Sequence, residues 1–144
     1  SPRAQKAALA PIVAAWGQTD PAAALQWGTE QQRVLGGDVA GTLEPSLLSA
    51  WAQKDPEAAL RWTEALALEL KAGGKEYYPQ VLEILGNDYV GHTSRATTAD
   101  LYSKIKDPAL RTETLTRHLQ AWQAKDPAAA QAWLAAHPAL GLKP

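Results

Sequence analysis

Apolar side chains recur along this chain three and four residues apart, broken by Asp-Pro, Gly-Gly and His-Pro. That spacing keeps them on one face of an α-helix. Ala8, Leu9, Ile12, Val13 and Trp16 predict a helix over about 2–17. Pro11 falls inside it, where proline costs roughly 3 kcal/mol, so the segment either bends there or begins near Ala10. A second helix, from Pro21 to about Leu35, stops at Gly36-Gly37, as a glycine C-cap does. Residues 38–42 link it to a helix over about 43–53. The next starts at Pro56, carries Leu60, Ala67, Leu68 and Leu70 on its apolar face, and stops near Lys71 or Ala72, before Gly73-Gly74. Tyr78, Val81, Leu82, Leu85 and Tyr89 predict a helix from about Lys75 to Tyr89, with Pro79 tolerated in its first turn. Thr93 or Ser94 caps a short helix reaching Ile105. Pro108 opens a helix to about Ala124 with Leu110, Leu115, Leu119 and Trp122 inward. Pro127 opens the last, which His137-Pro138 ends, and residues 141–144 form a loose tail.

Three of these helix junctions are copies of one pattern. Trp51-Ala52-Gln53-Lys54-Asp55-Pro56-Glu57-Ala58-Ala59-Leu60-Arg61-Trp62 has counterparts at Trp16–Trp27 and Trp122–Trp133. The shared pattern is Trp-x3-Asp-Pro-x-Ala-Ala-x2-Trp. It takes up all six tryptophans, and the second copy follows the first by 35 residues. The third follows the second by 71, about two periods. The Asp carboxylate accepts from free amides of the first helical turn. Proline loses no needed N–H at the first helical position and excludes the α conformation from the residue before it. Each Asp-Pro is therefore a break between two helices with almost no loop, and the paired alanines let the second helix approach its neighbour closely. Because the same residues repeat at matching positions, the tryptophans are expected in the core and the aspartates as caps.

A period near 35 residues with two helices per unit is the mark of an α-solenoid. Asp-Pro-Glu-Ala-Ala-Leu-Arg-Trp, following Ala50-Trp51-Ala52-Gln53, resembles the helix A–turn–helix B core of a tetratricopeptide-like repeat, and is similar to repeats in uncharacterised bacterial proteins. The Trp-x2-Leu-Gly-x2-Tyr opening of tetratricopeptide units and their closing proline do not stand here. The resemblance implies an all-α fold, a right-handed α-solenoid of about four antiparallel helix pairs. It would be one repeat domain over 1–144 with units of about 2–37, 38–74, 75–105 and 106–138. The third unit departs most: Tyr89 and Tyr102 take the tryptophan places and Asp-Pro is lost from Gly91-His92-Thr93-Ser94-Arg95.

Composition narrows the chemistry. With 14 basic and 15 acidic residues the formal charge is −1, so bulk charge draws neither nucleic acid nor an anionic membrane. Cysteine is absent, which removes disulfides, thiol nucleophiles and thiolate metal sites. No apolar run approaches the roughly 18 residues of a membrane span. Ser1-Pro2-Arg3 carries no signal-peptide core, and without an initiator methionine the chain is expected to be an excised or processed piece; compartment and oligomeric state stay open.

Catalytic patterns are missing from the sequence. His92, His118 and His137 have no metal-ligand spacing on a helix. Gly73-Gly74-Lys75 lacks the Gly-x4-Gly-Lys-Ser/Thr spacing of a phosphate loop. Ser94 has no base beside it. Glu64 with Glu69, and Glu76 with Glu83, read as solvated helix faces. No catalytic residue, metal or cofactor is expected. What the repeat leaves unexplained is aromatic and polar, the composition of recognition surfaces: Tyr77, Tyr78, Asn87, Asp88, Tyr89, His92, Thr93, Ser94 and Arg95, which the competing reading attributes to drift of the third unit. The solenoid resemblance implies contacts from exposed first-helix positions such as Arg3, Lys6, Gln80, Glu83, Asn87, Thr114, Arg117 and His118. The partner-binding candidates are Tyr77, Tyr78, Asn87, Asp88, His92, Arg95, Arg117 and His118. The expected function is non-enzymatic binding of a protein or peptide. The alternative is an accessory α-superhelical domain of a larger bacterial enzyme, for example a cell-wall-acting one, and a free-standing enzyme ranks behind both.

Overall fold

The computed structural model describes residues 2–90 and 94–142, without the side chains of Pro2, Lys6 and residues 87–90. Eight α-helices and one 3-10 turn account for most of them, and none of the described residues lies in a strand. The helices are α1 (Pro2–Gly17), α2 (Pro21–Val34), α3 (Pro45–Lys54), α4 (Pro56–Ala72), α5 (Tyr78–Val90), α6 (Arg95–Tyr102), α7 (Pro108–Lys125) and α8 (Pro127–Ala136), with the 3-10 turn at Pro138–Leu140. They fall into two compact units, residues 1–88 and 89–144.

The caps act as their chemistry requires. Asp20, Asp55, Asp107 and Asp126 each accept a hydrogen bond from the amide three residues on, at 3.0, 3.1, 2.9 and 3.1 Å. In the three repeat copies the amide of that aspartate donates to the carbonyl of the first tryptophan, at 3.1 Å from Asp20 and 2.8 Å from Asp55 and Asp126. The cap backbones nearly coincide, with φ/ψ of −143/85, −148/83 and −147/79. Asp107, which follows no tryptophan, caps from a different conformation, −70/117. The repeated motif is thus a rigid helix–helix corner as well as a sequence pattern. Ser94 caps α6 through the Thr97 amide at 3.1 Å.

Gly36 and Gly74 close α2 and α4 with φ of 69 and 77, values that side chains tolerate poorly. Gly37 N–H donates to Gln32 O at 2.8 Å and Lys75 N–H to Leu70 O at 2.9 Å. α5 begins at Tyr78 rather than near Lys75 because Pro79 has no N–H to give the Lys75 carbonyl, so a turn started there would lack its first hydrogen bond. Pro79 then sits in the first turn of α5, where its missing N–H costs nothing. The first helix keeps the expected bounds of about 2–17, so of the two alternatives a start near Ala10 is the one that falls. α1 runs through Pro11, which is exposed, while Leu9 and Val13 on the opposite side are 5% and 1% exposed and hold the helix down.

In the first unit α1 packs on α2, α2 on α3 and α3 on α4. A methyl group placed on Gly17 would overlap the Leu47 side chain, and one on Gly28 would press into Val13 and Thr42, so both glycines mark close helix approach. Val39, Leu66, Leu70 and Val81 form a buried cluster with Ala40, Leu43, Trp62 and Tyr78 around it. In the second unit α7 packs on α6 and on α8, burying Leu101, Tyr102, Ile105, Leu110, Leu115, Leu119, Trp122 and Trp133. No helix among the described residues is long and apolar enough to cross a membrane.

Candidate functional site

Within each tryptophan copy, the residue four before the first tryptophan lies on the same helix face one turn earlier. That residue is Ile12, Leu47 or His118. Leu47 is 5% exposed and lies against Gly17 of α1. His118 lies against α6: its Nε2 donates to Arg95 O at 2.9 Å, and its ring meets Tyr102 edge-on at 5.5 Å. In both copies the preceding helix pair covers the position. Ile12, in contrast, is 46% exposed.

The tryptophans follow the same division. Trp51 and Trp122 are 8% and 6% exposed, whereas Trp16 is 40% exposed. The partner inside the hairpin does not cause this. Trp16 meets Trp27 at 5.8 Å and Trp51 meets Trp62 at 5.5 Å. The expectation of a core place for every tryptophan is therefore corrected at Trp16. Ala8, Pro11 and Ala15, around Ile12 and Trp16 on α1, are exposed too, so an apolar, low-relief strip lies open on this helix.

A second feature of the first unit is a hollow of about 260 Å³ between the two glycine turns, with Asp38, Val39, Glu69, Leu70 and Lys75 on its walls. Its carboxylates are already engaged. Arg33 lays its guanidinium on both Glu69 oxygens, Nε to Oε1 at 2.9 Å and to Oε2 at 3.0 Å, and reaches Glu30 at 2.6 Å. Glu69, then Glu30, holds the guanidinium pKa above its usual value against partial desolvation. Asp38 accepts from the Ala40 amide at 3.0 Å and from the Tyr77 hydroxyl. The hydrogen bond to Asp38 pushes the Tyr77 phenol up to about 12. Among the described residues no group of three or more His, Cys, Asp or Glu is placed to hold a metal ion.

The sequence-derived candidates separate. Tyr77 is exposed and tied to Asp38, whereas Tyr78 is half-buried against the first unit's apolar cluster with Lys71 Nζ 5.4 Å above its ring. Asn87 and Asp88 lie on α5 with side chains outside the described set, as does that of Tyr89, and His92 and Thr93 lie outside the described residues. In the second unit Arg95 and His118 meet through the Arg95 carbonyl, and Arg117 is half-buried on α7. Burial pushes the His118 imidazole below its ordinary value, the Arg95 carbonyl opposes that, and the Arg95 charge adds to it. His118 and Thr114 are corrected as exposed positions: Thr114 is 2% exposed, its hydroxyl without a partner. Glu64 is buried, 3.8 Å from Arg61, rather than solvated.

His137 stacks on Trp133 at 4.0 Å, and its Nδ1 donates to the Trp133 carbonyl at 2.7 Å. The Trp133 indole N–H donates to Asp100 Oδ1 at 2.9 Å, fixing α8 to α6. An open groove beside it is lined by Gln131, Leu134, Ala135, Pro138 and Leu142. Sequence reasoning missed Ile12, Trp16, Arg33, Asp38 and Asp100. Aligning the copies flags the Ile12 position, but nothing in the pattern tells an exposed member from a buried one.

No family model matches the chain, and neither a curated protein nor a solved structure matches it.

Proposed function

We propose that this chain is a non-enzymatic interaction scaffold, a helical repeat of tetratricopeptide-like, solenoid type that binds protein partners through helix faces its own packing leaves open. The observation that carries this reading is the exposure of Ile12 and Trp16 at positions whose counterparts Leu47 and Trp51 are buried. An isolated exposed apolar residue is ordinary on a protein surface. An apolar pair on one helix face, at positions that the rest of the chain uses for packing, is the form of an interface core. The polar clusters support the same reading. Asp38, Glu69, Arg33, His118, Trp133 and Asp100 are each engaged in holding elements together, and none stands in a nucleophile–base pair.

The test compares proteins captured by the wild type with those captured by an Ile12→Glu/Trp16→Glu variant, with Tyr77→Ala as a surface control. The double variant should keep the wild-type helical spectrum and lose the partner, while Tyr77→Ala retains it. Equal capture by wild type and double variant would remove α1 as the binding face.

A further inference from the structure

We infer that the Ile12–Trp16 face of α1 is a stacking face for a further helical hairpin of this same repeat, seated so that the small residue after that hairpin's own first tryptophan lies over Ile12. The inference rests on the scaffold reading above and specifies the partner. Its warrant is internal to the chain. The position held by Ile12 occurs three times, and where it is covered the cover is the preceding helix pair: α1 through Gly17 at Leu47, α6 through the Arg95 carbonyl and the Tyr102 ring at His118. Gly17 directly follows Trp16 in the motif, and with no Cβ it leaves the notch that Leu47 enters. Ile12 is a branched aliphatic of the same volume as Leu47, so it fits the same notch.

The surroundings agree with that occupant. Ala8, Pro11 and Ala15, which flank Ile12, are exposed and short, so they leave room for a second helix to approach. α1 presents no strand edge, so an extended peptide finds no backbone ladder there. The opposite end of the motif series is built differently. Gln131 takes the place of Leu25 and Leu60, both fully buried, and is exposed; Gln123 takes the place of Gly17. Polar residues at outward repeat positions close a stack, whereas apolar ones leave it open to another unit. By this measure α1 carries the open kind of face, with Ile12 and Trp16 at its packing positions.

The experiment adds one repeat period to the full chain: residues 1–44 followed directly by residues 10–144, so that a copy of α1–α2 and its linker precedes the original Trp16. Tryptophan is replaced by 5-fluorotryptophan, and the Trp16 fluorine resonance is assigned by Trp16→Phe. In the unextended chain that fluorine should show the H2O/D2O shift of an exposed indole. In the extended chain the shift should fall to about that of Trp51 and reappear on the tryptophan of the added copy. Gly17→Leu in the added copy alone, which fills the notch, should restore the exposed value at the original Trp16. A Trp16 shift left unchanged by the extension, or an extension that adds no helical ellipticity, overturns the inference; the scaffold reading survives if capture still depends on Ile12 and Trp16. Shielding of Trp16 that grows with concentration in the unextended chain also overturns it, because the occupant is then a second copy docking face to face.

Discussion

Trp16 and Trp51 occupy one motif position, have the same kind of partner in Trp27 and Trp62, and differ in what lies outside their hairpin. Their energetics should differ accordingly. Trp51→Ala removes a ring from a closed core and should destabilise by about 3–5 kcal/mol. Trp16→Ala should cost clearly less, about 2 kcal/mol, because 40% of the residue is already in water. Denaturant midpoints of the two variants check this. Equal losses would mean that the Trp16 ring is as fully packed as that of Trp51. At this scale the sequence was a good guide to backbone chemistry and a poorer one to exposure. Each Asp-Pro aspartate caps its helix, since capping depends on four consecutive residues. The buried states of Thr114 and Glu64 depend on neighbours from other helices, which no local pattern records.

At the scale of the element, helix ends are where this chain is most constrained. Asp55→Ala removes one side-chain cap and should cost about 1 kcal/mol. Gly74→Ala places a Cβ at φ 77, and should cost about 1–2 kcal/mol from the left-handed conformation although nothing stands within 4 Å of the added methyl. Gly73→Ala, one residue earlier at φ −80, is the control and should be close to neutral. Urea titrations of the three variants separate cap from conformation. A loss at Gly73 equal to that at Gly74 would implicate the Gly-Gly hollow rather than backbone strain. Pro79, with no N–H for the Lys75 carbonyl, delays α5 to Tyr78, which periodicity alone placed three residues earlier. The apolar pattern marks which residues face inward, but a hydrogen bond decides where the helix can start.

For the whole molecule, pH is the sharpest probe. Burial holds the folded His118 pKa below the usual 6.5, so the unfolded chain takes up this proton first as pH falls. Its contribution to stability is complete above about 6.5 and is lost as pH drops from there through the folded value. Tyr77 is the alkaline counterpart: with its phenol pushed up to about 12 by Asp38, its contribution is complete below the ordinary value of 10.0 and is lost as pH rises through about 12. Stability measured against pH should therefore fall on both flanks. His118→Leu, the residue used at that position in the second copy, should flatten the acid flank, and Tyr77→Phe the alkaline one. An acid flank unchanged in His118→Leu would assign it to other groups.

The sequence by itself determined an all-helical chain, its Asp-Pro corners, its glycine stops and the order of its elements. These follow from interactions within a few residues: a carboxylate reaching the third amide, a ring that bars the preceding turn, a left-handed glycine. Tertiary structure decided which copies of one motif are covered. Ile12, Leu47 and His118 share a register, yet their exposure is set by whether another helix pair lies against them. Burial is a property of two surfaces, and a local pattern specifies only one of them. For the same reason Tyr77 and Tyr78, adjacent in the chain, part company, one held by Asp38 and the other packed on Val39, Leu66, Leu70 and Val81.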